Sequence, residues 1–254
     1  MRILVCVKRT PAPGARITLT EDGMAIDTAH LGFAVSPHEE CAVEAGVQLA
    51  EAHEGTVTVL TLGPPEAEEQ LRAALASGAH EAVLIPTDGS DQAPVPTAAA
   101  LTAAIRELES EPFDLILFGN ESADAGGYQV GIRVAHALER PIVSGIKGID
   151  VVDDGFRLRR ETPVGSEVYQ LPRPAVVAVK EGINLPRYPT LKGRISAKKA
   201  EVRVIEHAPT EGGQRLVRFV TPEVEVTETI ILGEGPEAAG AVVDLLEELQ
   251  VVGA

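Results

Sequence analysis

The segment best equipped for chemistry is Gly119-Asn120-Glu121-Ser122-Ala123-Asp124-Ala125-Gly126-Gly127-Tyr128-Gln129-Val130-Gly131. A glycine-rich turn entering a helix leaves backbone N–H groups free and converging. The helix dipole adds positive potential at the same place. Such a turn can hold a phosphate. Its spacing is neither GxxxxGK[ST] nor GxGxxG, so a plain chain reversal before a helix explains it equally well. Three other segments end apolar runs and could complete a nucleotide pocket: Cys6-Val7-Lys8-Arg9, Ser36-Pro37-His38-Glu39 and Thr61-Leu62-Gly63-Pro64. Gly63 would let a backbone approach a ring closely. Cys6 and Cys41 read as small buried hydrophobes.

Catalytic patterns are missing. The six histidines, at 30, 38, 53, 80, 136 and 207, show no metal-ligand spacing. Ser77-Gly78 and Ser144-Gly145 lack the context of a nucleophile elbow. Glu39-Glu40, Asp153-Asp154 and Glu247-Glu248 read as solvated faces. No catalytic residue and no metal site is therefore expected. His38 is the best-placed histidine, although a surface role suits it too.

The elements that must position these segments alternate. β-rich runs occur at residues 2–8, Thr56–Leu62, Ala82–Pro86, Leu115–Phe118 and Ala175–Val179. Helical patterns lie between them. One opens at Pro37 behind a Ser36 cap and buries Cys41, Ala42, Ala45 and Leu49. Others cover Pro65–Ser77, Pro96–Leu108 and Gly126 to Leu138. This rhythm predicts an α/β fold: an open parallel, Rossmann-like sheet with helices on both faces. Ligands in such sheets sit beyond the carboxyl ends of the strands. Arg16–Thr20 and Met24–Asp27 flank a hairpin signal, and residues 155–170 read as added antiparallel strands. Glu201–Ile205 reads as one more strand, and Pro236–Leu249 as a helix with an apolar stripe. The expected organisation is a nucleotide-binding domain over 1–200 and a C-terminal arm over 201–254 that needs a partner to lie on.

The chain has 254 residues and a formal charge of −16, with 44% hydrophobic residues. That composition supports a core and argues against nonspecific nucleic-acid binding. No apolar run approaches the ~20 residues that span a bilayer. The N-terminal segment is too short and too β-like for a signal peptide. Two cysteines give no disulfide framework. A cytoplasmic protein without membrane insertion is expected. The charge is uneven: residues 1–180 carry net −12, residues 201–254 net −8, and residues 181–200 net +4. The basic island holds Arg187, Lys192, Arg194, Lys198 and Lys199 beside Ile183, Leu185, Tyr188 and Leu191. Prolines at 186 and 189 exclude regular structure across those positions. Exposed apolar groups rimmed by cations suit partner docking.

Leu185-Pro186-Arg187-Tyr188-Pro189-Thr190-Leu191-Lys192-Gly193 followed by Ala197-Lys198-Lys199 resembles the signature of the electron transfer flavoprotein beta subunit. Val5–Arg9 is similar to that family's first strand, and Ser36–Glu44 to its N-P-x-x-E-x-A-x-E segment, with Ser36 replacing Asn. Arg72–Ala79 is similar to its R-x-A-L-A-M-G-A stretch, with Ser77 replacing Met. Asp124, Gln129 and Gly131 stand where its nucleotide loop has them. The likeness covers residues 1–200 well and the acidic tail loosely.

The resemblance implies a non-catalytic electron-carrier subunit paired with an alpha subunit. It implies a structural AMP in this chain and an FAD held mainly by alpha. Electrons would pass from acyl-CoA and other dehydrogenases to a quinone oxidoreductase, as in fatty acid oxidation. Carried over by position, nucleotide contacts would come from Cys6, Ser36, Pro37, His38, Glu39 and Leu62, and from Asp124, Ala125, Gly126, Gly127, Tyr128, Gln129, Val130, Gly131 and Val134. His38 falls where the family often has an aromatic residue near the flavin. The recognition loop would be 181–200, docking through Ile183, Leu185, Arg187, Tyr188, Leu191, Lys198 and Lys199, with Ile183 and Leu185 both qualifying as its anchor. Two alternatives stay open: a bifurcating-type beta subunit with a second FAD in place of AMP, and a stand-alone ATP-binding module on the same fold.

Overall fold

The computed structural model describes residues 1–252, apart from Asp91, Pro209, Glu211 and residues 224–228. Along the chain, β1 (Arg2–Cys6) is followed by two short strands, β2 (Thr10–Pro11) and β3 (Phe33–Ala34), which pair with each other. Next come α1 (Pro37–Ala52), β4 (Thr56–Gly63), a 3₁₀ turn at Pro65–Ala67, α2 (Glu68–Ala76), β5 (Glu81–Pro86), α3 (Pro94–Leu108), β6 (Leu115–Gly119) and α4 (Val130–Ala137). Then follow β7 (Ile142–Val152), β8 (Gly155–Thr162), β9 (Gly165–Pro172), β10 (Ala175–Val179), α5 (Leu191–Lys199) and β11 (Val202–Val204). A second compact unit, Phe219–Ala254, holds a 3₁₀ turn at Gly235–Ala238 and α6 (Ala239–Glu248), which leaves Val242, Val243 and Leu245 exposed.

The main sheet has the order β11-β5-β4-β1-β6-β10-β7-β8-β9. β11 through β7 run parallel, and β8 and β9 continue antiparallel. The α/β expectation holds, with the antiparallel addition in place. Alternation along β1 explains the layers. Ile3 and Val5 join the core with α1, α2 and Ala197 of α5, whereas Leu4 and Cys6 join the core with α3 and α4. The chain winds outward from β1 through β4 to β5, then returns to the other side of β1 as β6. The order therefore reverses between β1 and β6, where a crevice opens beyond the strand ends.

Four local readings change. The helix expected from Gly126 starts at Val130, because Gly126 and Tyr128 both take φ +53° and cannot join it. β7 was not foreseen: Ser144-Gly145 and Gly148 interrupt its pattern, Gly145 has φ +72°, and its register with β8 shifts between Ile146 and Gly148. The island at 181–200 is a loop only as far as Thr190. Thr190 then caps α5, its Oγ1 accepting from the Gly193 N–H at 3.0 Å. The hairpin signal near Glu21 gives a single bridge, Leu19 to Ile26.

Candidate functional site

The crevice is built from the ends of β1 and β6, where Cys6 lies beside Phe118 in register. Cys6 is buried, and burial, with the Glu39 charge behind it, pushes its thiol far above the ordinary range. It stays protonated, which agrees with a packing role. Past β1, the Lys8 Nζ reaches Asp124 Oδ2 at 2.6 Å and bridges the crevice. Burial pushes the Asp124 carboxyl up, but the hydrogen bond and charge of Lys8 take it net below its usual range.

At the start of α1, Ser36 and Glu39 form a capping box. The Glu39 carboxylate accepts the Lys8 N–H at 3.1 Å and, more loosely, the Ser36 N–H at 3.4 Å. It is buried, and burial raises it to about 7 against those bonds. The wholly buried Ser36 Oγ lies against Glu39 within the box but makes no hydrogen bond of full geometry. Gly119 is obligatory here: a Cβ on it would stand 2.6 Å from Glu39 Cγ.

The loop of residues 120–129 closes the crevice. Gln129 caps α4 without a side-chain bond, so the first N–H groups of that helix face the loop. A Cβ on Gly127 would meet nothing within 4 Å, while one on Gly131 would lie 3.1 Å from the Phe118 ring. Tyr128 is exposed, and its hydrogen bond to Glu121 raises its phenol. Leu62 sits half-buried near the end of β4, and Val134 is buried one turn into α4, both against the α3–α4 side of the sheet. Cys6, Ser36–Glu39, Leu62 and 124–131 thus all stand at one edge. Lys8 joins them. Sequence reading quoted it without a role, although a cation closing β1 was the available signal. An unpaired buried hydroxyl, an uncapped helix start and the Lys8 ammonium on Asp124 fit a phosphorylated nucleotide.

A second loop, 181–190, leaves β10, the neighbour of β6. It runs along one face of α1 at a constant offset. The Glu181 N–H donates to His38 Nδ1 at 2.8 Å, Asn184 Nδ2 to the Cys41 carbonyl at 3.0 Å, and Arg187 Nε to Glu44 Oε2 at 2.9 Å. His38 Nε2 also lies 3.3 Å from Glu121 Oε1, so one imidazole touches both loops. Its Nδ1 accepts, so the neutral ring carries its proton on Nε2. A cleft of about 480 Å³ lies beside this loop, lined by Pro37, Cys41, Lys147, Lys180, Leu185 and Pro186 among others. Its two ammonium groups stand beside the carboxylates of Glu40 and Glu181, so the lining is of mixed charge between apolar walls.

The docking residues separate. Leu185, Tyr188 and Leu191 are 89%, 92% and 76% exposed, whereas Ile183 packs on the core. Lys198 and Lys199 are exposed at the end of α5. Arg187 is turned inward onto Glu44 and Glu51. Among the described residues no group of three or more His, Cys, Asp or Glu could hold a metal ion, and no helix is long and apolar enough to cross a membrane.

Comparison with known proteins gives concordant results. Residues 23–210 match the model of the electron transfer flavoprotein domain. The electron transfer flavoprotein subunit beta of Bacillus subtilis is 31% identical, the alignment covering 97% of either chain. That of Syntrophomonas wolfei is 34% identical over 87% of this chain and 86% of its own. The caffeyl-CoA reductase-Etf complex subunit CarD of Acetobacterium woodii is 29% identical over 99% of this chain and 100% of its own.

Proposed function

The chain belongs to the electron transfer flavoprotein beta-subunit family, and we propose that it works there as the nucleotide-bearing half of an electron carrier. The observation that carries this reading is the β1–β6 crevice, with the unpaired Ser36 Oγ on one side and the uncapped start of α4 on the other. In this reading AMP is held structurally by Cys6, Ser36–Glu39, Leu62, Asp124–Gly131 and Val134. An alpha subunit covers the cleft beside His38 and carries FAD, which when bound supplies all of the redox chemistry. The C-terminal arm, which contains α6 with its exposed Val242, Val243 and Leu245, packs on alpha.

This chain's own residues then do three things. Backbone donors of the loop after β6, together with Lys8, neutralise and orient a phosphate. His38, held by Glu181 and Glu121, fixes an imidazole at the cleft. Leu185, Tyr188 and Leu191 form an apolar knob for acyl-CoA and other dehydrogenases, and Lys198 and Lys199 add weak, salt-sensitive attraction. Electrons leave to a quinone oxidoreductase, and the subunit breaks no bond itself. The test is to purify the chain with its alpha partner, denature the complex and count nucleotides. One AMP and one FAD per heterodimer support the reading; a colourless, nucleotide-free complex rejects it.

A second reading is favoured by the end-to-end likeness to the caffeyl-CoA reductase-Etf subunit. There the crevice would take a second FAD in place of AMP. Two flavins and no AMP in the same count would select it.

A further inference from the structure

Arg187, expected as a docking cation, spends its donors within the chain. A guanidinium has five N–H bonds to give. Nε and Nη2 give one each to Glu44, at 2.9 and 3.1 Å, and Nη1 and Nη2 give one each to Glu51, at 2.7 and 3.0 Å. Four of the five are therefore held by two carboxylates of α1, and the Arg187 backbone N–H adds a longer bond to Glu44 at 3.3 Å. Two negative charges leave little positive charge for a partner to feel. Glu44 is buried, and a buried carboxylate without its cation is costly, so the pair is a structural obligation of α1. The chain on either side is stiffened by Pro186 and Pro189. Within two residues of the fork stand the two most exposed apolar side chains of the loop, Leu185 before Pro186 and Tyr188 before Pro189.

We propose that Arg187 is the positioning residue of the docking loop: its fork onto Glu44 and Glu51 presets Leu185 and Tyr188 against α1, and it makes no contact with the electron-donating dehydrogenase. The inference rests on the docking reading given above. A flexible loop would lose conformational freedom on each encounter, and a loop already held by α1 loses less.

The experiment uses the flavin-loaded heterodimer with a reduced acyl-CoA dehydrogenase as donor. Apparent KM and kcat for flavin reduction are measured across ionic strength, and amide exchange is followed over residues 183–190. Arg187→Gln leaves the buried Glu44 without its cation and lowers stability, but should raise KM about tenfold with kcat, flavin content and salt slope unchanged in the folded heterodimer, because preorganisation is lost. Exchange in the loop should accelerate about a hundredfold as the staple opens locally. Arg187→Lys keeps the charge without the fork and should stay within about twofold of Arg187→Gln. Glu51→Gln cuts only the outer half of the fork and should give the same signs at about threefold, in a chain whose buried Glu44 stays paired. Unchanged loop exchange in Arg187→Gln, rescue of KM by Arg187→Lys, or a flattened salt slope overturns the proposal. Unchanged KM in Leu185→Ala, Tyr188→Ala and Leu191→Ala together removes the docking reading and the positioning role with it. Accelerated exchange in Arg187→Gln would tell that failure apart from a failure of the staple.

Discussion

Two loops leave neighbouring strands at one edge of the sheet, and they settle their polar groups in opposite ways. The loop after β6 keeps donors open: α4 starts without a side-chain cap, and across the crevice the Ser36 hydroxyl has no partner. The loop after β10 gives its donors to α1 through Glu181, Asn184 and Arg187, leaves the acceptor Asn184 Oδ1 buried without a partner, and turns apolar side chains outward. Open donors around a crevice suit a small anion. Satisfied donors beneath exposed Leu and Tyr suit a protein surface, where burial of apolar groups supplies affinity. Both loops hold to α1, so one helix serves as the reference for both.

Four experiments test the contrast. Gly131→Asp should have the largest effect. Its side chain meets the Phe118 ring at 3.1 Å and sets a negative charge at the start of α4. Nucleotide content after purification should fall to near zero with the docking surface intact; retained stoichiometric nucleotide would take the first loop out of the site. Leu185→Ala or Leu191→Ala should raise the apparent KM for the dehydrogenase about tenfold, as loss of a packed anchor does. Nucleotide content should not change, and a loss of it would show that the two loops are not separable.

Lys198→Gln combined with Lys199→Gln should slow association about two- to threefold at low salt and not at high salt, as screened rim charges do. Stopped-flow measurements at two ionic strengths check this. The smallest effect is expected for Glu39→Gln, followed by urea midpoints from pH 5 to pH 8. Burial raises the folded carboxyl to about 7, above its ordinary 4.5. Its contribution to stability is therefore fully present below about 4.5 and lost as pH rises through about 7. Gln imitates the protonated acid, so the variant should gain on the wild type as pH rises through that window. A constant difference across the range would mean that Glu39 does not titrate there.

The two loops were not equally legible. The first stands out in sequence because its glycines, Gln129 and the preceding apolar run are contiguous, and only its helix start was misplaced. Periodicity cannot announce the positive φ of Tyr128. The second loop was legible as an exposed apolar surface and not as a structure. Exposed Leu185 and Tyr188 follow from composition, but Ile183 and Leu185 look alike in one dimension, and only packing separates them. Arg187 read as a free cation because Glu44 and Glu51 lie far away along the chain. The apolar runs that became β1, β4, β5, β6 and β10 were plain because both faces of each strand are covered. β7 was hidden because its residues are only partly buried and two glycines interrupt them.

The register between α1 and the second loop has a consequence for the order of assembly. His38 with Glu181, Cys41 with Asn184 and Glu44 with Arg187 are each separated by 143 residues. No local segment can form these pairs. β10, which delivers the loop, sits between β6 and β7, so both strands and the antiparallel pair after β7 are already synthesised when the staple closes. Contacts of such long range form late, after loop closure has been offset by the sheet. The conformation that holds Leu185 and Tyr188 outward is thus a late product of folding. A chain stalled short of β10 lacks it, because the loop that pairs with α1 follows that strand.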